Sequence, residues 1–280
     1  MTLQTTRAMI ARADADDRAI AAFNVVQLEH AQGIVEGAER SGAPVILQLS
    51  ENTIDYHGGP RAIAAGMRAI AEGAAVPVAL HLDHLTRVDL CARTADLGFS
   101  SFMIDAAALP YEENVEVTAR TVARAAVDRL WVESELGEVG GKGAHQTGAR
   151  TVPAEASAFV EATGIHGLAI AIGSSHAMSE KTATLDLDLL DAIAAAVQVP
   201  LVLHGSSGVR DADLAAATRR GIRKVNVGTQ LNVAFTRAVA DVIQEQPRVV
   251  DPRVYIGAGR AAVARQVELV LGLLTAGSPA

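Results

Sequence analysis

Apolar positions along this chain fall into two alternating kinds of segment. Short β-branched or apolar runs occupy residues 20–26, 45–50, 76–83, 100–105, 130–136, 167–173, 200–205 and 222–228. Between them lie stretches rich in Ala, Glu and Arg with helical spacing, such as 28–41, 61–74, 87–97, 112–127, 188–197 and 211–220. A further helix is expected to open near Gln230. Strand and helix in strict alternation predict parallel βαβ units. Eight such strands over roughly 210 residues predict a closed (β/α)8 TIM barrel, read here as a single domain over residues 1–280 with a C-terminal helical extension. An open doubly wound sheet would call for a glycine-rich dinucleotide turn after the first run, and "FNVVQLEH" is not one.

A barrel of this kind carries its chemistry at the C-terminal ends of the strands. Those ends supply Asn24, Gln48 and Ser50, Asp83 and His84, and Asp105. Next come Glu133 or Glu135, then His176, His204 and Asn226. All eight strands therefore finish in hydrogen-bonding or ionisable groups. His84, His176 and His204 end the third, sixth and seventh strands, and three imidazoles converging on the mouth suffice for a catalytic zinc with an open position. His81 alternates onto the same strand face as Asp83 and reads as a core residue or one supporting the site.

The loops after the last two strands read as an anion site. "HGSSG", residues 204–208, and "VGT", residues 227–229, each precede a helix. Small residues there let backbone N–H groups and helix N-termini approach a phosphate, which picks out Gly205, Ser206, Ser207, Gly228 and Thr229.

Composition narrows the class. Half the residues are apolar and 20% are charged, as in an ordinary globular protein. A net charge of −8 and 3% aromatic residues argue against a nucleic-acid partner. The one cysteine, Cys91, excludes an internal disulfide framework. No apolar run reaches the roughly 18 residues of a membrane span. The opening "MTLQTTRAMIARADADDR" lacks a signal-peptide core. The expectation is a cytoplasmic protein with no membrane partner.

The ordered set "AFNVVQLE", "PVILQLS", "PVALHLDH", "GFSSFMID", "VESELGEVGG", "AIGSSH", "LVLHGSSGV", "KVNVGTQL" and "DPRVYIGAGR" covers nearly the whole chain. It resembles the class II, metal-dependent ketose-bisphosphate aldolases, which include the fructose- and tagatose-bisphosphate enzymes. The resemblance implies reversible cleavage of a phosphorylated ketose to dihydroxyacetone phosphate and an aldehyde. It makes His84, His176 and His204 zinc ligands and Asp83 the acid that exchanges a proton with the aldehyde oxygen. Asp105 and Glu135 resemble carboxylates near an alternative metal position, leaving room for a second divalent or monovalent cation. Asn226 matches the residue that holds the ketose fragment, with Asn24 and Ser50 across the pocket. Gly205, Ser207 and Thr229 match the phosphate cradle. Arg260 matches a group that serves a second phosphate from a neighbouring subunit, and the family implies a homodimer or homotetramer.

One departure stands out. After "GG" in the loop following the fifth strand the family carries acidic residues, "GGxED" or "GGEED", including a glutamate that removes the proton from the enolising carbon. This chain reads "GGKGAHQTG", with Gly143 at the glutamate position. Three readings stay open: His145 acts as the base, Glu138 reaches in, or the substrate and reaction differ. A related zinc lyase or isomerase, or a non-catalytic phosphosugar-binding protein, would fit the last. Residues 137–150 hold five glycines and are expected to form a permissive loop that closes over substrate.

Overall fold

A computed structural model of the chain describes residues 2–137, 150–175, 178 and 180–275. Eight strands, β1 (Ile20–Asn24), β2 (Val45–Ser50), β3 (Val78–Leu85), β4 (Ser101–Ile104), β5 (Trp131–Leu136), β6 (Gly167–Ile170), β7 (Leu201–Leu203) and β8 (Ile222–Val227), form a closed barrel in sequence order. Every neighbouring pair is parallel, and β8 closes on β1. The helices are α1 (Thr6–Ala15), α2 (Leu28–Ser41), α3 (Glu51–Tyr56), α4 (Arg61–Gly73), α5 (Val88–Cys91), α6 (Tyr111–Ala125), α7 (Pro153–Thr163), α8 (Leu187–Ala196), α9 (Asp211–Thr218), α10 (Thr229–Glu245) and α11 (Pro252–Thr275). The chain is a (β/α)8 TIM barrel, and α11 is the C-terminal extension.

The apolar runs become strands because each is covered on both sides. Outward residues such as Phe23, Leu47, Leu80 and Phe102 join one large core beneath the helices. A second cluster, including Ile20, Ala22, Ile46, Ala79, Trp131 and Val202, fills the inside near the strand starts and is capped by Met9 and Ile10 of α1. Leu3 bridges to Val78 at the start of β3, so this first segment covers the N-terminal end of the barrel. Gln4 and Thr275 line one cleft there. Above the apolar layer the inward positions turn polar, with Gln48, His81, Ser101, Glu133 and Lys224 all fully buried. His81 is one of these core residues, its Nδ1 2.8 Å from Oγ of Ser101.

Two elements depart from the pattern. The helix expected over residues 87–97 shortens to α5 and continues as turns, because the Thr94 hydroxyl bonds back to the Cys91 carbonyl at 2.9 Å. Strand β3 runs past residue 83 to Leu85. The extension α11 lies along α2, and glycines allow close approach. A Cβ at Gly33 would sit 2.7 Å from the Arg260 carbonyl oxygen, and one at Gly37 would sit 2.5 Å from that of Ala264. Among the described residues no helix is long and apolar enough to cross a membrane.

Candidate active site

The end of β3 is built differently from the other strands. Leu82 pairs with Phe102 and Leu85 with Ile104, so β3 advances three residues while β4 advances two. This extra residue is a bulge. It is accommodated by His84, whose φ of 49° is a left-handed conformation uncommon outside glycine. Consecutive residues of a regular strand point to opposite faces, but the bulge brings Asp83 and His84 into the same pocket.

That pocket also gathers Asn24, Ser50, Gly205, Ser206, Ser207, Asn226, Gly228 and Thr229, as the strand-end reading expects. The sequence reading did not include Asn52 and Thr53 of α3 or Asn232 of α10, which complete the wall. Ser50 caps α3 by accepting the Thr53 N–H at 3.3 Å. Glu51 ties this corner to the β3 loop by accepting the backbone N–H of Thr86 at 2.9 Å and of Arg87 at 3.1 Å.

Asp83 is buried and held from two sides. Asn24 donates from Nδ2 to its Oδ2 at 2.9 Å, and Asn226 donates from Nδ2 to its Oδ1 at 3.3 Å. Beside it, the His84 and His204 rings lie 4.8 Å apart, centre to centre. Nδ1 of His84 is 2.7 Å from Oδ2 of Asp105. His204 lies between Glu133, 2.9 Å from Nε2, and Glu135, 3.0 Å from Nδ1.

The charges are strongly coupled. Burial alone would depress His204, but Glu133 and Glu135 raise it to about 9. Burial would raise Glu133, yet the Lys224 ammonium and His204 hold it down to about 2. Burial likewise opposes ionisation of Asp105, and the His84 contact outweighs it and lowers the carboxyl. Lys224 was not among the residues picked out from the sequence. Its signal was there, since it sits two positions before Asn226 and therefore shares its inward face.

The loop after β7, read from the sequence as an anion site, is a tight turn. Gly205 has a φ of 64°, and residues 206–208 make a single 3-10 turn. A Cβ at Gly205 would lie 2.6 Å from the Ser175 carbonyl group, so the segment after β6 presses against the segment after β7. The Ser206 hydroxyl bonds the Asn226 carbonyl at 2.5 Å, and the Gln230 amide N–H reaches the Ser207 hydroxyl at 3.3 Å. This joins the turn to β8 and to the start of α10.

A family model described as class-II fructose-bisphosphate aldolase matches residues 4–277. The chain belongs to the class II fructose-bisphosphate aldolase family. Within that family it is 37% identical over 268 residues to a fructose-bisphosphate aldolase of Geobacillus stearothermophilus, covering 94% of this chain and 93% of the relative. It is also 37% identical over 264 residues to a 6-phospho-5-dehydro-2-deoxy-D-gluconate aldolase of Shouchella clausii, covering 93% and 90%. Among solved structures it superposes on the YdjI aldolase of Escherichia coli with a TM-score of 0.85 at 32% identity, covering 97% of each chain. This class II aldolase is therefore a carbon–carbon lyase, and the binding-protein and isomerase readings are not favoured.

Four of the expected positions need separate statements. His176 and His145 lie outside the described residues, as do Glu138 and the rest of residues 138–149. Arg260, on α11, rests against α2, 3.4 Å from Oε1 of Gln32 and 3.8 Å from Glu36, and does not line the pocket of its own chain. Among the described residues no group of three or more His, Cys, Asp or Glu side chains is arranged to hold a metal ion. The donors present nevertheless suit one. Two imidazoles lie side by side behind the mouth, His84 backed by Asp105 and His204 held between Glu133 and Glu135, and carboxylate contacts of this kind orient metal-binding histidines.

Proposed function

We propose that this class II aldolase cleaves a phosphorylated ketose at the mouth of the barrel, with His84, His176 and His204 holding a catalytic zinc. What carries the reading is the β3 bulge, which delivers a carboxylate and an imidazole side by side into the pocket that also contains the small-residue loop. The contact of Gly205 with Ser175 supports His176 as the third ligand, because it draws the chain next to His176 against the residue after His204. When bound, zinc supplies Lewis-acid polarisation of the ketose oxygens. Asp105 and Glu135, the carboxylates in contact with His84 and His204, would serve a second cation at an alternative metal position.

The remaining chemistry belongs to the chain. In the cleavage direction Asp83 takes the proton of the hydroxyl that becomes the aldehyde oxygen. The carbon–carbon bond breaks as that proton leaves, and its electron pair passes to the ketose fragment. A base in the loop after β5, His145 or Glu138, returns a proton to the same carbon, completing dihydroxyacetone phosphate. Asn226 holds this fragment, Asn24 and Ser50 face its partner, and the backbone and hydroxyls of Gly205, Ser206, Ser207, Gly228 and Thr229 grip the phosphate.

Arg260 serves a second phosphate from the neighbouring subunit of a homodimer or homotetramer, and the protein works in the cytoplasm. The two relatives of equal identity carry names with different substrates, so the aldehyde half is best assigned by assay. A coupled triose-phosphate assay over fructose bisphosphate, tagatose bisphosphate and 6-phospho-5-dehydro-2-deoxy-D-gluconate, run with metal analysis, tests the proposal. Full zinc with no turnover of any phosphorylated ketose would overturn it.

A further inference from the structure

Lys224 sits in β8, two residues before Asn226, with its side chain fully buried inside the barrel. A buried ammonium is costly unless compensated, and Oε2 of Glu133 lies 2.8 Å from its Nζ. The second contact says more. Nζ also lies 2.8 Å from Oδ1 of Asn226. An ammonium has three protons and no lone pair, so only the oxygen of an asparagine amide can face it. The amide nitrogen must then point away, and it lies 3.3 Å from Oδ1 of Asp83.

A matching row arrives from the other side. Nε2 of Gln48 donates to Oδ1 of Asn24 at 2.9 Å, and Nδ2 of Asn24 donates to Oδ2 of Asp83 at 2.9 Å. Both rows run donor to acceptor and end on Asp83. Gln48 and Asn24 are amides whose two ends can exchange, whereas Lys224 has only one possible polarity.

We propose that Lys224 is a positioning residue that fixes the direction of the Asn226 amide, turning its nitrogen toward Asp83 and the pocket. With Lys224 removed, the amide loses one of the two contacts that set its direction, and only the 3.3 Å bond to Asp83 holds its nitrogen in place. A lysine that served only to neutralise Glu133 would need no contact with Asn226. The inference rests on the reading of Asp83 and Asn226 as substrate-facing residues.

A double-variant cycle on the zinc enzyme separates the two roles. Lys224→Met is expected to raise KM for the ketose phosphate about 10- to 100-fold, the range for a lost charged hydrogen bond. Asn226→Ala is expected to do the same, and the double variant should be no more than about threefold worse than the worse single one. Bound zinc and the thermal midpoint are read alongside. Effects that multiply, or a Lys224→Met enzyme with normal KM, overturn the proposal. If Asp83→Ala and Asn226→Ala also keep full activity, the reading of the site itself fails.

Lys224→Met leaves Glu133 without its cation and risks misfolding, so a second measurement uses the unaltered enzyme. Neutron diffraction from perdeuterated crystals should place two deuterons on the Asn226 atom facing Asp83 and none on the atom facing Nζ. The reverse assignment overturns the proposal.

Discussion

Nδ1 of His84 lies 2.7 Å from Oδ2 of Asp105, which reaches over from the end of β4. This contact decides which ring nitrogen is turned to the pocket. Removing such a partner from a metal-binding histidine typically costs 10- to 100-fold in affinity, so Asp105→Ala is expected to weaken zinc binding by about that factor. A competition titration of the metal-free protein against a chromophoric chelator reads it. Unchanged affinity would separate Asp105 from the metal.

Asp83 is adjacent in sequence to His84, the proposed zinc ligand, and the proposal assigns it to proton transfer. Asp83→Ala is therefore expected to keep its zinc and lose about 10²- to 10⁴-fold in turnover. Loss of zinc together with activity would instead make Asp83 part of the metal's support.

The loop base is tested by exchange of the enolisable proton of dihydroxyacetone phosphate into heavy water, which isolates proton abstraction. His145 is the one side chain among residues 137–150 with an ordinary pKa near neutrality. His145→Ala is expected to exchange about 100-fold more slowly than its parent, roughly the lower edge of general-base effects. Equal rates would move the role to Glu138.

His81 makes the fold sensitive to acid. Burial and then the Lys224 ammonium hold its pKa down to about 3, from 6.5. The folded state thus binds fewer protons than the unfolded chain, so this stability is intact above pH 6.5 and is lost as pH falls toward 3. The slope in that window is about 1.4 kcal/mol per pH unit. His30 and His166, both lowered by burial, act in the same sense. Urea unfolding midpoints of His81→Gln should therefore fall less steeply than those of the parent between pH 6.5 and 4.5. Parallel slopes would show that His81 is not the group responsible.

Gly37 tests the seam between α2 and α11. In a free helix Gly→Ala stabilises by up to about 1 kcal/mol. Here the new methyl meets a backbone carbonyl, which cannot swing aside as a side chain can. Overpacking of this kind costs about 1–3 kcal/mol, so Gly37→Ala is expected to lower the melting temperature. A raised one would show that the two helices separate easily.

The barrel was legible because its strands are buried on both faces and its helices are not. Strand β2 and helix α2 match the apolar pattern end to end, since each stops where that pattern stops. The β3 bulge was not legible. Nothing in "LHLDHL" distinguishes a strand that ends at Asp83 from one that kinks at His84, because the extra residue is defined against β4. Lys224 was passed over for a related reason. A lysine in a strand ordinarily turns to solvent, and only the closed ring of partners makes an inward ammonium affordable. Arg260 shows the converse. It was picked out by its motif, yet within one chain it rests against α2, and a sequence carries no record of where a neighbouring subunit begins.

Gln4 and Thr275 share a cleft at the N-terminal end of the barrel, while Asp83 and His84 open at the other. Attachment next to either residue would therefore leave the opening facing outward. A surface tether or fused carrier placed there should let sugar phosphates diffuse in unhindered, whereas one grafted onto α3 would stand in their path.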